Sequence, residues 1–114
     1  MRERTLFQKI ADGEIAADVV YEDEQCIAVR DINPQAPTHI LIVPRRVIPG
    51  LDDLTEGDET LVGHLFTVAA RLARDEGLVD GYRTVFNSGR DAGQSVDHIH
   101  LHLLGGRRLG WPPG

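Results

Sequence analysis

His98, His100 and His102 stand at alternate positions in the segment DHIHLHLLGG, so three of the chain's five histidines fall within five residues. On a β-strand, side chains alternate between faces with a period of two. The three imidazoles therefore share one face, and Ile99, Leu101 and Leu103 share the other. A helix would scatter them. Metal ligation, proton relay and nucleophilic attack are the chemistries open to such a cluster. Zinc takes nitrogen ligands at about 2.0–2.1 Å in a tetrahedron, whereas His98 and His102 lie roughly 13 Å apart along an extended strand. Two alternate histidines can meet that requirement with a third ligand from elsewhere, but three in a row cannot. No Cys or carboxylate follows at ligand spacing, so the expectation is neither a metal site nor a cofactor.

Three imidazoles on one face are each partly desolvated beside another protonatable group, a costly arrangement unless an anion lies across them. A neutral imidazole attacks phosphorus well and leaves it well, which divides one difficult displacement into two easier ones. His100, flanked on both sides, is the expected nucleophile, with His98 and His102 in support. The preceding loop, Gly93-Gln94-Ser95-Val96, is expected to present backbone N–H groups to an anion. Ser95 adds a hydroxyl that can handle a leaving group.

These side chains need elements to position them. TLFQKIADGEI reads as a short helix with Thr5 as its cap and Gly13 as its close; Leu6, Phe7 and Ile10 share a face. Val19 to Glu22 and Cys26 to Arg30 flank a polar turn and suggest a hairpin. His39 to Pro44 is the most apolar strand and suits a central position. If it pairs beside the triad strand, His39 brings in a fourth imidazole that can fix tautomers. The longest helix runs from about Asp58 to Glu76, with Thr55 and Asp58 as a capping box. His64 lies there beside Leu61 and Leu65, where packing on the helix surface is the expected role. YRTVFNSG forms a fourth strand and HIHLHLL a fifth. Hairpin-length links predict an α+β domain with a mostly antiparallel sheet of five strands and two helices.

The chain has 114 residues, enough for one domain, with residues 105–114 as a C-terminal tail. A formal charge of −6 argues against sequence-independent nucleic-acid binding. A small anionic substrate needs only a local donor site, for which Arg45, Arg46, Arg90, Arg107 and Arg108 are candidates. Cys26 is the single cysteine, so an internal disulfide is excluded; it reads as a small buried hydrophobe. No stretch resembles a secretory signal or a membrane span, and the cytoplasm is the expected compartment.

The run His98-Ile99-His100-Leu101-His102-Leu103-Leu104 resembles the signature of the histidine triad (HIT) nucleotide-binding proteins. The resemblance extends from LFQKIADGEI through DINPQAPTHILIVPRR and GQSVDHIHLHLLGG to GWPPG. The QAPTH and WPPG segments are similar to the Hint branch in particular. The resemblance implies a homodimer whose two sheets join into one of ten strands. It also implies a purine nucleoside phosphoramidase that cleaves the P–N bond of adenosine 5′-phosphoramidates and AMP-lysine-like compounds. By that resemblance His100 is the nucleophile, His98, His102 and His39 support it, and Ser95 contacts the leaving group. Asp31 holds the ribose hydroxyls, Asn87 lies close to the phosphate, and Phe7, Ile10 and Ile32 line the base pocket, although spacing alone reads these three as core. Trp111 reaches toward the partner subunit's site. Val47 and Asp97 depart from the pattern, the first where many relatives carry histidine, the second where they carry a bulkier residue. Two alternatives stand beside this reading: a dinucleoside polyphosphate hydrolase, and a nucleotide-binding regulatory module with little turnover.

Overall fold

A computed structural model describes residues 4–114. Helix α1 spans Leu6–Ala11, and its start is set by a capping box. The Thr5 hydroxyl accepts the Gln8 N–H at 3.1 Å, and the Gln8 side chain accepts the Thr5 N–H at 2.8 Å. Strands β1 (Val19–Glu22) and β2 (Cys26–Arg30) form the expected hairpin. Its turn is held by Asp23, whose Oδ1 accepts the N–H groups of Gln25 and Cys26 at 2.7 and 2.8 Å. Strand β3 (Thr38–Pro44), helix α2 (Glu59–Asp75), β4 (Tyr82–Val85) and β5 (Leu101–Gly105) complete the chain. The sheet is antiparallel throughout, in the order β1-β2-β3-β5-β4.

The central place of β3 explains its nearly continuous apolar run. Ile40 and Ile42 face α2 together with Ala28, Leu101 and Leu103, and meet Leu65, Val68 and Leu72. Val43 faces the other way, with Ile27, Val29 and Phe7 of α1. The two helices thus lie on opposite faces of the sheet. Each large side chain fully buried in these layers contributes about 1.5–3 kcal/mol. Register then places the imidazoles: Leu41 pairs with His102 and His39 with Leu104. His39 and His102 are therefore diagonal neighbours on the α1 face.

Two strands are shorter than their sequence suggests. The ladder of β5 begins at Leu101, so His98 and His100 precede it instead of lying within it. Backbone bonding there goes to loops: the His98 N–H bonds Val96 and the Ile99 N–H bonds Ile48, both at 2.8 Å. The His98 carbonyl is taken by the side chain of His100. The chain bends over residues 96–98, yet Phe7 of α1 packs on the rings of His98 and His100, and His102 lies 5.0 Å from His100, so the three imidazoles still gather on one face. Strand β4 ends at Val85, opposite His102, one residue short of the start of β5. The strand also runs through Gly105, so the tail proper starts at Gly106. That residue has φ +90°, and a Cβ there would lie 2.9 Å from Pro37, which leaves only glycine able to make the turn.

Candidate active site

His98 is 1 % exposed and uses both ring nitrogens within the protein. Its Nε2 lies 2.6 Å from the Pro44 carbonyl and its Nδ1 2.7 Å from the Thr5 hydroxyl. Only a protonated nitrogen bonds a carbonyl, so Nε2 carries the proton and Nδ1 accepts from Thr5. The same logic applies to His100, whose Nδ1 lies 2.9 Å from the His98 carbonyl. That nitrogen donates, so in the neutral ring the lone pair is on Nε2. Phe7 packs on both rings, with centroids 5.6 Å from His98 and 4.9 Å from His100.

A second chain of hydrogen bonds starts at Gln35, whose backbone N–H donates to His39 Nδ1 at 3.1 Å. The His39 proton is therefore on Nε2, which donates to His102 Nδ1 at 2.8 Å. A neutral His102 then carries its proton on Nε2, a buried atom with no hydrogen-bond partner among the described residues. An unmatched buried donor costs about 1–3 kcal/mol. The face thus presents a lone pair on His100 beside an unmet donor on His102, with ring centroids 5.0 Å apart. Burial lowers the pKa values of His98 and His39. Burial, reinforced by the neighbouring His100 and His39, takes His102 down to about 4. All three are neutral at pH 7, as the tautomer chain requires.

A cavity of about 280 Å³ opens beside His100 and His102. Of the expected residues, Phe7, Ile10, Asp31, Ile32 and Ser95 line it. Ile32 is 98 % exposed there, a rim residue with no core role. Asp31 Oδ2 lies 3.5 Å from His39 Nε2, while its Oδ1 accepts the Asn33 N–H. Sequence reading missed Leu6, Ile15, Ala17, Val29 and Leu41 in the lining, whereas Val96 belongs to the loop it expected at the anion. The alternation of β2 and β3 held a signal for Val29 and Leu41, but using it required the register.

Other expected residues lie elsewhere. The N–H groups of Gly93 and Gln94 bond the carbonyls of Arg90 and Gly89, so they do not face an anion. The Gln94 side chain bonds Pro49, Val96 and Gly89 of the main chain and braces the loop. Asn87 is half-buried and does not line the cavity, and Trp111 is 83 % exposed. Arg45, Arg46, Arg90, Arg107 and Arg108 all lie outside the lining, and Arg46 pairs with Asp58 at 2.5 Å. Among the described residues, the arginine that lines the cavity is Arg30, whose guanidinium is held by Glu76 at 2.7 and 3.0 Å. His64 does more than pack: its Nε2 lies 2.6 Å from Asp23. Cys26 is fully buried as expected, and burial, aided by Asp23, pushes its thiol up to about 12.

Comparison with known proteins agrees with this geometry. The HIT domain family matches residues 12–109. A 14 kDa zinc-binding protein of Zea mays is 56% identical over 113 residues, covering 96% of this chain and 88% of that protein. The crystal structure of a HIT family hydrolase from Legionella pneumophila Philadelphia 1 has a TM-score of 0.95 at 53% identity, over 97% of this chain and 100% of that one. A histidine triad nucleotide-binding protein from Candida albicans has a TM-score of 0.80 at 30% identity, over 96% and 83% of the two chains. With its paired imidazoles on one sheet face and these relatives, the chain belongs to the HIT domain family.

Proposed function

We propose that this protein is a hydrolase of the Hint branch that cleaves the P–N bond of purine nucleoside 5′-phosphoramidates through a nucleotidyl-histidine intermediate. The single observation that carries the reading is the commitment of both Nδ1 atoms, His100 to the His98 carbonyl and His102 to His39, which leaves a lone pair on His100 Nε2 and an N–H on His102 Nε2 in two rings that line one apolar cavity. The base enters between Phe7 and Ile10, the ribose hydroxyls bond Asp31, and the α-phosphate reaches the imidazoles. His100 Nε2 attacks phosphorus as the P–N bond breaks. The departing amine takes up a proton, for which the exposed Ser95 hydroxyl is the conduit from water. The phosphorylated imidazole keeps its Nδ1–H, and the His98 carbonyl stabilises the resulting positive charge. His102 Nε2–H donates to a phosphoryl oxygen. Water then attacks phosphorus and gives up a proton to solvent, the P–Nε2 bond breaks to restore the neutral imidazole, and nucleoside monophosphate leaves.

Gln94 acts in this scheme as a brace of the loop that carries Ser95, through its bonds to Gly89, Pro49 and Val96. The relatives described as hydrolase and nucleotide-binding protein support the class. The maize relative's name raises metal binding as well, but the triad does not suit a resident metal. Asp31, His39 and His102 offer ligand atoms within 4.8 Å of one another, but an ion there would take the very nitrogens through which His39 fixes the His102 tautomer. A metal there would displace the relay, and no step is routed through one.

The protein is proposed to work as a homodimer joined at the edge strand β4. Val79, Tyr82 and Phe66 expose apolar surface around that edge, and Trp111 of each chain would reach the partner's cavity. Residues 1–114 would form a single domain in the cytoplasm; among the described residues, no helix is long and apolar enough to cross a membrane. The test is a comparison of adenosine 5′-phosphoramidate with a diadenosine polyphosphate, using wild type and His100→Ala. The expected result is higher kcat/KM for the phosphoramidate and at least about a thousandfold loss in the variant. Preference for the polyphosphate, or full activity without His100, would overturn the reading.

A further inference from the structure

We infer that Asp23, Cys26 and His64 form a binding site for a zinc-type divalent metal ion, on the sheet face opposite the triad. One ligand atom from each residue lies within 4.8 Å of the other two. They come from the β1–β2 turn, the first residue of β2 and the outer part of α2. None of the three takes part in the chemistry proposed for the triad.

Donor chemistry selects the ion. A thiolate, an imidazole and a carboxylate suit zinc and its neighbours, whereas magnesium and calcium prefer all-oxygen sets. The thiolate and carboxylate together balance a divalent charge. The set is also supported from outside. The Tyr21 hydroxyl donates to Asp23 Oδ2 at 2.7 Å, and the Gln25 and Cys26 N–H groups hold Oδ1. Such bonds fix a ligating carboxylate in place. Cys26 is 0 % exposed, while the side chains of Asp23 and His64 are 24 % and 26 % exposed, so an ion can enter from solvent and meet sulfur at the floor.

Binding asks for a small rearrangement. Asp23 Oδ2 and His64 Nε2 are hydrogen-bonded at 2.6 Å. Tetrahedral ligands at about 2.0–2.1 Å from zinc stand roughly 3.4 Å apart, so the two side chains separate as the ion replaces the proton between them. The His64 proton moves to Nδ1, Cys26 gives its proton to solvent, and no electron is transferred. Water takes the fourth position.

Cobalt(II) tests this in the full chain after chelator treatment, because a thiolate ligand gives cobalt an intense near-ultraviolet absorption band. The expected result is one cobalt per chain with that band, bleached by zinc, retained in His39→Ala and absent in Cys26→Ser. His64→Ala, altered at a half-exposed helix position, is expected to weaken cobalt binding at least about tenfold. It carries the test where Cys26→Ser fails to fold. No sulfur band at saturating cobalt overturns the assignment, as does a band unaffected by His64→Ala or cobalt uptake lost only in His39→Ala.

Discussion

Thr5→Val removes one hydroxyl from the protein while keeping the side chain's shape, and that hydroxyl joins α1 to the triad. It accepts the Gln8 N–H at the helix start and donates to His98 Nδ1. Loss of the cap costs about 1 kcal/mol. His98 is 1 % exposed, so its Nδ1 would lose its partner without gaining water, at about 1–3 kcal/mol. The sum is about 2–4 kcal/mol. For a chain of this length each kcal/mol moves Tm by roughly 4 °C, which gives a fall of about 8–16 °C. Urea denaturation at pH 7.5 measures the same loss at equilibrium, and Thr5→Ser should recover most of it. Activity supplies a second readout. The carbonyl that sets the His100 tautomer belongs to His98, so a looser His98 should lower kcat for the phosphoramidate more than it changes KM. A Thr5→Val protein within about 0.5 kcal/mol of wild type would refute the coupling between the cap and the triad.

Acid should destabilise the fold through the same histidines. His102 titrates at about 4 in the folded chain, below the roughly 6.5 of an unfolded one, so its stabilisation is complete above pH 6.5 and lost as pH falls toward 4. From pH 8 to pH 5 this single group removes about 2 kcal/mol, measurable as a falling urea midpoint that His102→Gln should flatten. His98 and His39 shift in the same direction. A midpoint that rises toward acid would contradict the neutral assignment. Asp31→Asn should raise KM for the nucleotide about tenfold with kcat little changed, since a ribose contact serves bound substrate and transition state alike. Gly106→Ala places a Cβ at φ +90° against Pro37 and should lower stability by about 1–3 kcal/mol, read by thermal unfolding. Light scattering should give twice the chain mass, and a monomer at micromolar concentration would remove the proposed role of Trp111.

The residues proposed to do the chemistry were legible before any fold. Strict alternation in His-Ile-His-Leu-His specifies one imidazole face, because side-chain period on an extended chain depends only on backbone geometry. Capping at Thr5, the polar turn at Asp23 and the amphipathic stripe of α2 are likewise local, and each element appeared within a few residues of its expected place. Tertiary structure decided what local rules cannot reach. The diagonal contact of His39 with His102 follows from the β3–β5 register, which is a property of two distant segments. The same holds for Thr5 against His98, 93 residues apart, and for His64 against Asp23, 41 apart. Gly93 and Gln94 looked like anion donors, but the turn's own closure consumed their N–H groups. The sequence by itself determined which imidazoles face together. Only packing determined which nitrogen of each ring holds the proton, because that depends on partners brought from far along the chain.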